Sequence, residues 1–146
     1  MNQAIQSFIQ AKRVAVVGVS RSGKKFGNSI ATELKQRGYQ VFIVHPEAKE
    51  IGGEPCYPNL AALQGKIDSV VVCVPPKASA GVVQEALQAG IKNIWLQQGA
   101  QSSEALAAAR AGGVNPVEGK CILMYAPPVK SLHNWHRFFA KLFGQV

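Results

Sequence analysis

Acidic residues are scarce in this chain: eight Asp and Glu stand against sixteen Lys and Arg in 146 residues, a formal net charge of +8. Such a shortage weighs against chemistry that needs paired or clustered carboxylates. The three cysteines, Cys56, Cys73 and Cys121, are an odd number without C-x-x-C spacing. A disulfide framework and a zinc site are therefore not expected, and free thiols in or near a core are. Aromatic residues make up 8% and never alternate with basic ones as a nucleic-acid platform would require. Basic residues are also spread along the chain, so the charge points first to a phosphorylated small molecule. No apolar run approaches the roughly 20 residues of a membrane span. The N-terminal "MNQAIQSFIQAKR" places its basic residues after its apolar ones, the wrong order for a secretory signal. A cytoplasmic protein with no membrane or nucleic-acid partner is expected. No repeat, low-complexity tract or linker interrupts residues 1–146, so one domain is expected.

What is present is an unbroken alternation of strand and helix patterns. "RVAVVG" (13–18) is a short apolar run closed by glycine, suited to a buried parallel strand. "NSIATELKQRG" (28–38) follows as a helix with Asn28 as its N-cap and Gly38 as its stop. "YQVFIV" (39–44) is a second strand ended by His45-Pro46, and 47–59 is an irregular excursion with a short extended piece. "DSVVVCV" (68–74) is a third strand, stopped by Pro75-Pro76. A helix over 77–90, a strand over 92–99, an Ala-rich helix over 102–113 and one or two strands in "VNPV" and "KCILMY" complete the pattern. The spacing predicts right-handed βαβ crossovers and an α/β, doubly wound parallel sheet of about five strands, with helices on both faces. In such sheets ligands bind beyond the carboxyl ends of the strands, here the loops starting at Gly18, His45, Pro75, Gln97 and Glu118.

The loop "GVSRSGKK" fits neither common nucleotide motif. Gly18, Gly23 and Lys24 match a P-loop, but its magnesium-binding hydroxyl position is held by Lys25, and no Asp ends another strand. The middle glycine of a dinucleotide fingerprint is replaced by Ser20. Gly18 and Gly23 still allow backbone to approach a diphosphate at a helix N-terminus. At the end of the second strand, "VHPEAK" offers His45 and Lys49 where NAD would want an acidic residue for its ribose. That favours a ligand with an extra ribose phosphate, such as NADP or coenzyme A.

Over roughly residues 10–122 the chain resembles the small, stand-alone CoA-binding proteins. The likeness lies in the strand, G-x-S and glycine-containing loop of "VAVVGVSRSGKKFGNSIATELKQRGYQVFIVHPEAKEIGGEPCYPNL", in "IDSVVVCVPP" and in "NIWLQQGAQSSEALAAARAGG". A related Rossmann-like CoA-binding domain occurs in succinyl-CoA synthetase alpha subunits. The resemblance implies that Gly18, Ser20, Gly23 and the helix at Asn28 bind the diphosphate. It also implies that Lys24, Lys25 and Lys49 meet the diphosphate or 3′-phosphate around the His45-Pro46 turn. Pro75 and Pro76 would then form an apolar wall, with Gln98 and Gly99 on the far side. Arg21 stands where many relatives are acidic, which makes this loop more cationic.

Simpler readings apply to the same residues. Gly18 and Gly23 serve equally well as turn glycines, Pro75-Pro76 as a strand terminator, and His45 as a partner for nearby backbone. His133 and His136 lack a third ligand nearby, so no metal is expected. Trp95 fits a core position. Trp135, Phe138, Phe139, Leu142 and Phe143, on an amphipathic helix at 131–144, fit a core or homodimer face. Asp68 begins a strand at the wrong end of the sheet, Glu118 has no evident partner, and no nucleophile elbow is present. The expectation is a protein that binds coenzyme A or an acyl-CoA without intrinsic catalysis. An NADP-dependent oxidoreductase and a nucleotide-regulated interaction module are the alternatives.

Overall fold

The computed structural model describes residues 3–23 and 25–127. Lys24 and the aromatic helix expected at 131–144 lie outside these residues, as do His133, His136 and the homodimer face placed on that helix.

In chain order the elements are α1 (Gln3–Gln10), β1 (Arg13–Val17), α2 (Phe26–Gln36), β2 (Gln40–Val44), β3 (Glu50–Ile51) and β4 (Glu54–Tyr57). A 3₁₀ turn (Ala61–Leu63) leads to β5 (Ser69–Val72), α3 (Pro76–Gln88), β6 (Asn93–Gln97), α4 (Ser103–Ala111), β7 (Val117–Lys120) and a second 3₁₀ turn (Ile122–Met124). The sheet runs β3-β4-β2-β1-β5-β6-β7. All neighbours are parallel except β3 and β4. Strand order reverses beside β1, because the chain moves outward to β2 and then returns to β5 on the other side. That crevice is where a doubly wound sheet binds its ligand.

The central strands are apolar throughout because both of their faces are covered. On one face Ile5, Phe8, Ile30 and Leu34 of α1 and α2 pack on Val14, Val16, Val71 and Trp95. On the other, Leu60, Leu63, Val83, Ala86, Ala105 and Ala109 pack on Ala15, Val70, Val72, Ile94 and Leu96. Trp95 is core, as its strand pattern predicts; its Nε1 donates to the Lys120 carbonyl at 2.9 Å.

The Rossmann-like class agrees with the sequence, but the sheet has seven strands among the described residues, not five. The additional pair comes from the 47–59 excursion, where Gly52 and Gly53 both take positive φ and close the β3–β4 hairpin. Two consecutive left-handed residues match the twist that a two-residue hairpin turn needs. β4 then joins β2 in parallel. Residues 121–125 form no strand. Arg37, only 4% exposed, donates from Nη1 to the carbonyls of Leu123 (2.9 Å) and Ala126 (2.8 Å) and draws this segment under α2. Glu118 lies within the edge strand β7, so the loop expected to start there begins after Lys120.

Candidate functional site

Gly18 follows β1 with φ +115°, a conformation disfavoured for any residue with a Cβ. A methyl group at Gly18 would lie 2.4 Å from the Cys73 carbonyl oxygen, at the end of β5. A methyl group at Gly27, on the first turn of α2, would lie 2.4 Å from the Gly18 carbonyl oxygen. The two glycines thus let β1, β5 and the start of α2 meet backbone to backbone at the switch point. Gly27 is the residue that the sequence reading missed. Gly23, given the phosphate role, forms a turn instead: it has φ +76°, its N–H bonds to the Ser20 carbonyl at 3.2 Å, and a Cβ there would touch nothing.

Asn28 does not cap α2. The helix starts two residues earlier with Lys25 as its N-cap, whose side chain makes no capping hydrogen bond. Asn28 turns back instead, accepting from the Ser20 N–H (Oδ1, 2.9 Å) and donating to the Ser20 carbonyl (Nδ2, 2.9 Å). One amide therefore closes the loop from 20 to 28 as a backbone pair would. It also occupies the Ser20 N–H, while the Ser20 hydroxyl pairs with that of Ser22 at 2.8 Å. What the loop presents to an anion is the uncapped first turn of α2, with no acidic residue in it and Lys25 exposed beside it. Helix N–H groups and the helix dipole make such an end attractive to phosphate.

The other expected residues sit at three neighbouring strand ends. His45 accepts at Nδ1 from the N–H groups of Glu47 (3.1 Å) and Ala48 (2.9 Å), which fixes the turn carrying the exposed Pro46 and Lys49. Its ring serves the backbone, the simpler of the two readings. Glu47 also pairs with Arg21 at 3.6 Å, linking this turn to the β1–α2 loop. Pro75 and Pro76 begin α3 as its N-cap and first residue, positions that suit proline because no helical N–H is needed there. Gln98 and Gly99 are exposed beyond β6, and the Gly99 N–H bonds to Gln101 Oε1 at 2.9 Å.

Two clefts flank the start of α2. The larger, about 540 Å³, is bounded by Val19, Arg21, Gly23 and Asn28 and continues along α2 past Thr32 and Lys35, facing Ile43, Ile51 and Glu54. The smaller, about 260 Å³, lies at the switch point between Lys25, Phe26, Cys73, Val74, Pro75 and the segment Gln97–Ala100. The larger volume is in the range of small-molecule sites and the smaller is below it. Of the expected residues, Gly23 and Asn28 border the larger cleft, and Lys25, Pro75, Gln98 and Gly99 the smaller. Gly18, Ser20, His45, Pro46, Lys49 and Pro76 border neither. Phe26, 55% exposed, is an apolar side chain at the rim of the smaller cleft.

Cys73 is also in the smaller cleft. Burial pushes its thiol up to about 12, with Cys121 adding to the effect. At pH 8 the thiolate fraction is then on the order of 10⁻⁴, against roughly a quarter for an unperturbed cysteine. Alkylation of Cys73 by iodoacetamide, followed by peptide mass mapping, is expected to be more than about 100-fold slower than that of a free cysteine. Labelling at the rate of a free thiol would show that the site is wetter than its lining indicates.

A family model described as the CoA binding domain matches residues 12–127. Among curated proteins, ADP-forming acetate–CoA ligase II of Archaeoglobus fulgidus is 32% identical over 102 residues, covering 68% of this chain and 15% of the ligase. Ligase I of the same organism is 30% identical over 123 residues, covering 77% of this chain and 18% of the ligase. The chain thus spans less than a fifth of these ligases. The uncharacterized protein YneT of Bacillus subtilis is 28% identical over 113 residues, covering 77% of this chain and 84% of that protein. A solved structure, a conserved hypothetical protein from Pyrococcus furiosus, superposes with a TM-score of 0.72 at 38% identity, covering 76% of this chain and 96% of that one.

Proposed function

The chain belongs to the CoA binding domain family, and on that premise we propose that it binds coenzyme A across the carboxyl edge of its sheet and performs no chemistry of its own. The observation that carries this reading is the uncapped N-terminus of α2, set between two clefts and free of acidic residues. A diphosphate over the first turn of α2 would meet helix N–H groups and Lys25. The adenosine end then lies toward the larger cleft and the turn bearing Lys49, and the pantetheine arm toward Pro75 and Gln98. Arg21 and Lys35 border the larger cleft, each paired with a glutamate, and the exposed Lys49 on the adjoining turn is the cation offered to a phosphorylated ribose.

Absence of catalysis is supported by how the reactive groups are occupied. Glu47 and Glu54, the carboxylates near the larger cleft, pair with Arg21 and Lys35. His45 Nδ1 is engaged by two backbone N–H groups. Cys73 is held as a thiol. A carrier, sensor or reservoir needs none of these.

Calorimetric titration with coenzyme A, dephospho-CoA and NADP tests the reading. A charge-assisted contact to phosphate contributes about 1.5–3 kcal/mol, one to two decades in affinity. Coenzyme A should therefore bind more tightly than dephospho-CoA by that margin, and Lys49→Ala should remove most of the difference. NADP should bind more weakly than coenzyme A. Equal binding of coenzyme A and dephospho-CoA would leave the 3′-phosphate in solvent and refute its placement near Lys49. Steady turnover of an acyl-CoA or of NADPH by the same protein would refute the non-catalytic role.

A further inference from the structure

Gln97, the last residue of β6, is 1% exposed and lines the smaller cleft. Its Oε1 accepts from the Ile122 N–H at 3.0 Å. Its Nε2 is the only buried side-chain nitrogen or oxygen among the described residues without a hydrogen-bond partner. The orientation of the amide is decided by chemistry: turned over, it would set NH₂ against the N–H of Ile122, donor against donor. The free end must therefore be the donor. A buried amide donor left unpaired is costly, and native structures rarely tolerate one without a reason.

The surroundings narrow what can satisfy it. Phe26, Val74, Pro75 and Ala100 give the cleft an apolar lining beside Lys25 and Gln98. The carbonyls of Pro75, Gln97 and Ala100 already accept, from Ala78 N–H, Ala100 N–H and the Ser79 hydroxyl. Each of these carbonyls already has a donor, so what the cleft lacks is an acceptor for Nε2, and an occupant that brings one completes the site. At about 260 Å³ the cleft takes one end of a ligand. A thioester has this chemistry: a carbonyl oxygen with no N–H, and a short apolar acyl group on its far side.

We propose that the cleft at the end of β6 is an acyl-thioester site, in which Gln97 Nε2 donates to the thioester carbonyl of a short-chain acyl-CoA in preference to free coenzyme A. The proposal rests on the coenzyme A reading above and specifies the ligand's reactive end. Binding leaves every covalent bond intact; the amide recognises the carbonyl and holds it, and Oε1 keeps the 121–124 segment in place.

Titration of the full chain with acetyl-CoA and with coenzyme A tests it. Acetyl-CoA should bind about five- to tenfold more tightly, the worth of one buried hydrogen bond, and Gln97→Met should bring that ratio to about one. In ¹⁵N-labelled wild-type protein the Gln97 side-chain NH₂ resonances should move with acetyl-CoA and much less with coenzyme A, a readout that needs no variant. Equal affinities in wild type, a ratio that survives Gln97→Met, or NH₂ resonances indifferent to the acyl group would each overturn the thioester site while leaving coenzyme A binding intact. Binding of neither ligand would overturn both.

Discussion

Replacing Arg37 by Met should lower stability by about 3–5 kcal/mol, because it strands two carbonyls held by a buried guanidinium and ends its pairing with the half-exposed Glu33. Arg37 is buried at the C-terminal end of α2, yet it is one of the most connected side chains in the fold. Nη1 bridges the carbonyls of Leu123 and Ala126, and Nε and Nη2 reach Glu33 Oε1 at 3.4 and 3.3 Å. Burial pulls the guanidinium below its ordinary value and Glu33 opposes that, so the group stays charged throughout any usable pH range. Methionine fills much of the volume but offers no donor. In a protein of this size the loss corresponds to a fall in melting temperature of roughly 10–15 °C. Lysine at 37 should recover only part of it, since an ammonium cannot reproduce the fork that spans two carbonyls. Urea unfolding of the two variants against wild type measures the difference. A loss below 1 kcal/mol for Arg37→Met would mean that water satisfies the carbonyls and the clamp is dispensable.

The clamp shows where sequence reading stopped. Runs such as "VAVV" and "SVVV" are legible as buried strands because both faces of a central parallel strand are covered, and Gly18 or Pro75-Pro76 marks each end. A segment held by a distant side chain carries no such local mark. "KCILMY" has strand composition, and residues far away in sequence, Arg37 at the Leu123 and Ala126 carbonyls and Gln97 at the Ile122 N–H, make its 121–125 part a turn docked under α2. The β3–β4 hairpin carries a signal, the Gly52-Gly53 pair, but its strands of two and four residues lie among turn formers, so 47–59 reads as an irregular excursion with a short extended piece. Helix α1 has no counterpart in the strand–helix pattern set out above, although Ile5, Phe8 and Ile9 repeat at helical spacing and Ile5 and Phe8 are core.

At the site, type of residue was more legible than role. The strand ends and the glycine-rich loop are legible as one edge because parallel topology places them together. Which group points where depends on details that spacing does not encode. Asn28 looks like an N-cap but spends its amide on Ser20. Gln98 and Gln97 are adjacent and chemically identical in sequence, yet one is exposed and the other is buried with a free donor. The signal that separates them is the register of β6, whose last paired residue is Gln97.

Gly27→Ala should be clearly damaging, though less so than Gly18→Ala, since only Gly18 of the two has an unusual backbone. On propensity alone, alanine in the first turn of α2 would stabilise the helix by up to about 1 kcal/mol. Against that stands a methyl group 2.4 Å from the Gly18 carbonyl oxygen and 2.8 Å from its carbon, both backbone atoms that no rotamer can move aside. At Gly18 the clash with Cys73 backbone is equally close, and φ +115° adds strain of about 1–3 kcal/mol. Relief in either variant requires α2 to move away from β1 or β1 from β5, and each movement opens the place where the diphosphate is proposed to sit. Gly27→Ala should therefore cost about 2–4 kcal/mol of stability and Gly18→Ala about 1–3 kcal/mol more, and each should reduce coenzyme A affinity by at least about tenfold, a loss of about 1.4 kcal/mol. Gly23→Ala separates site geometry from general glycine strain. It shares a positive φ, but its Cβ points into open space, so it should lose about 1–2 kcal/mol of stability with a smaller change in affinity. Thermal unfolding and calorimetry on the three variants make the comparison. If Gly27→Ala binds coenzyme A like wild type while Gly23→Ala does not, the phosphate lies over the 20–23 turn and not on the first turn of α2.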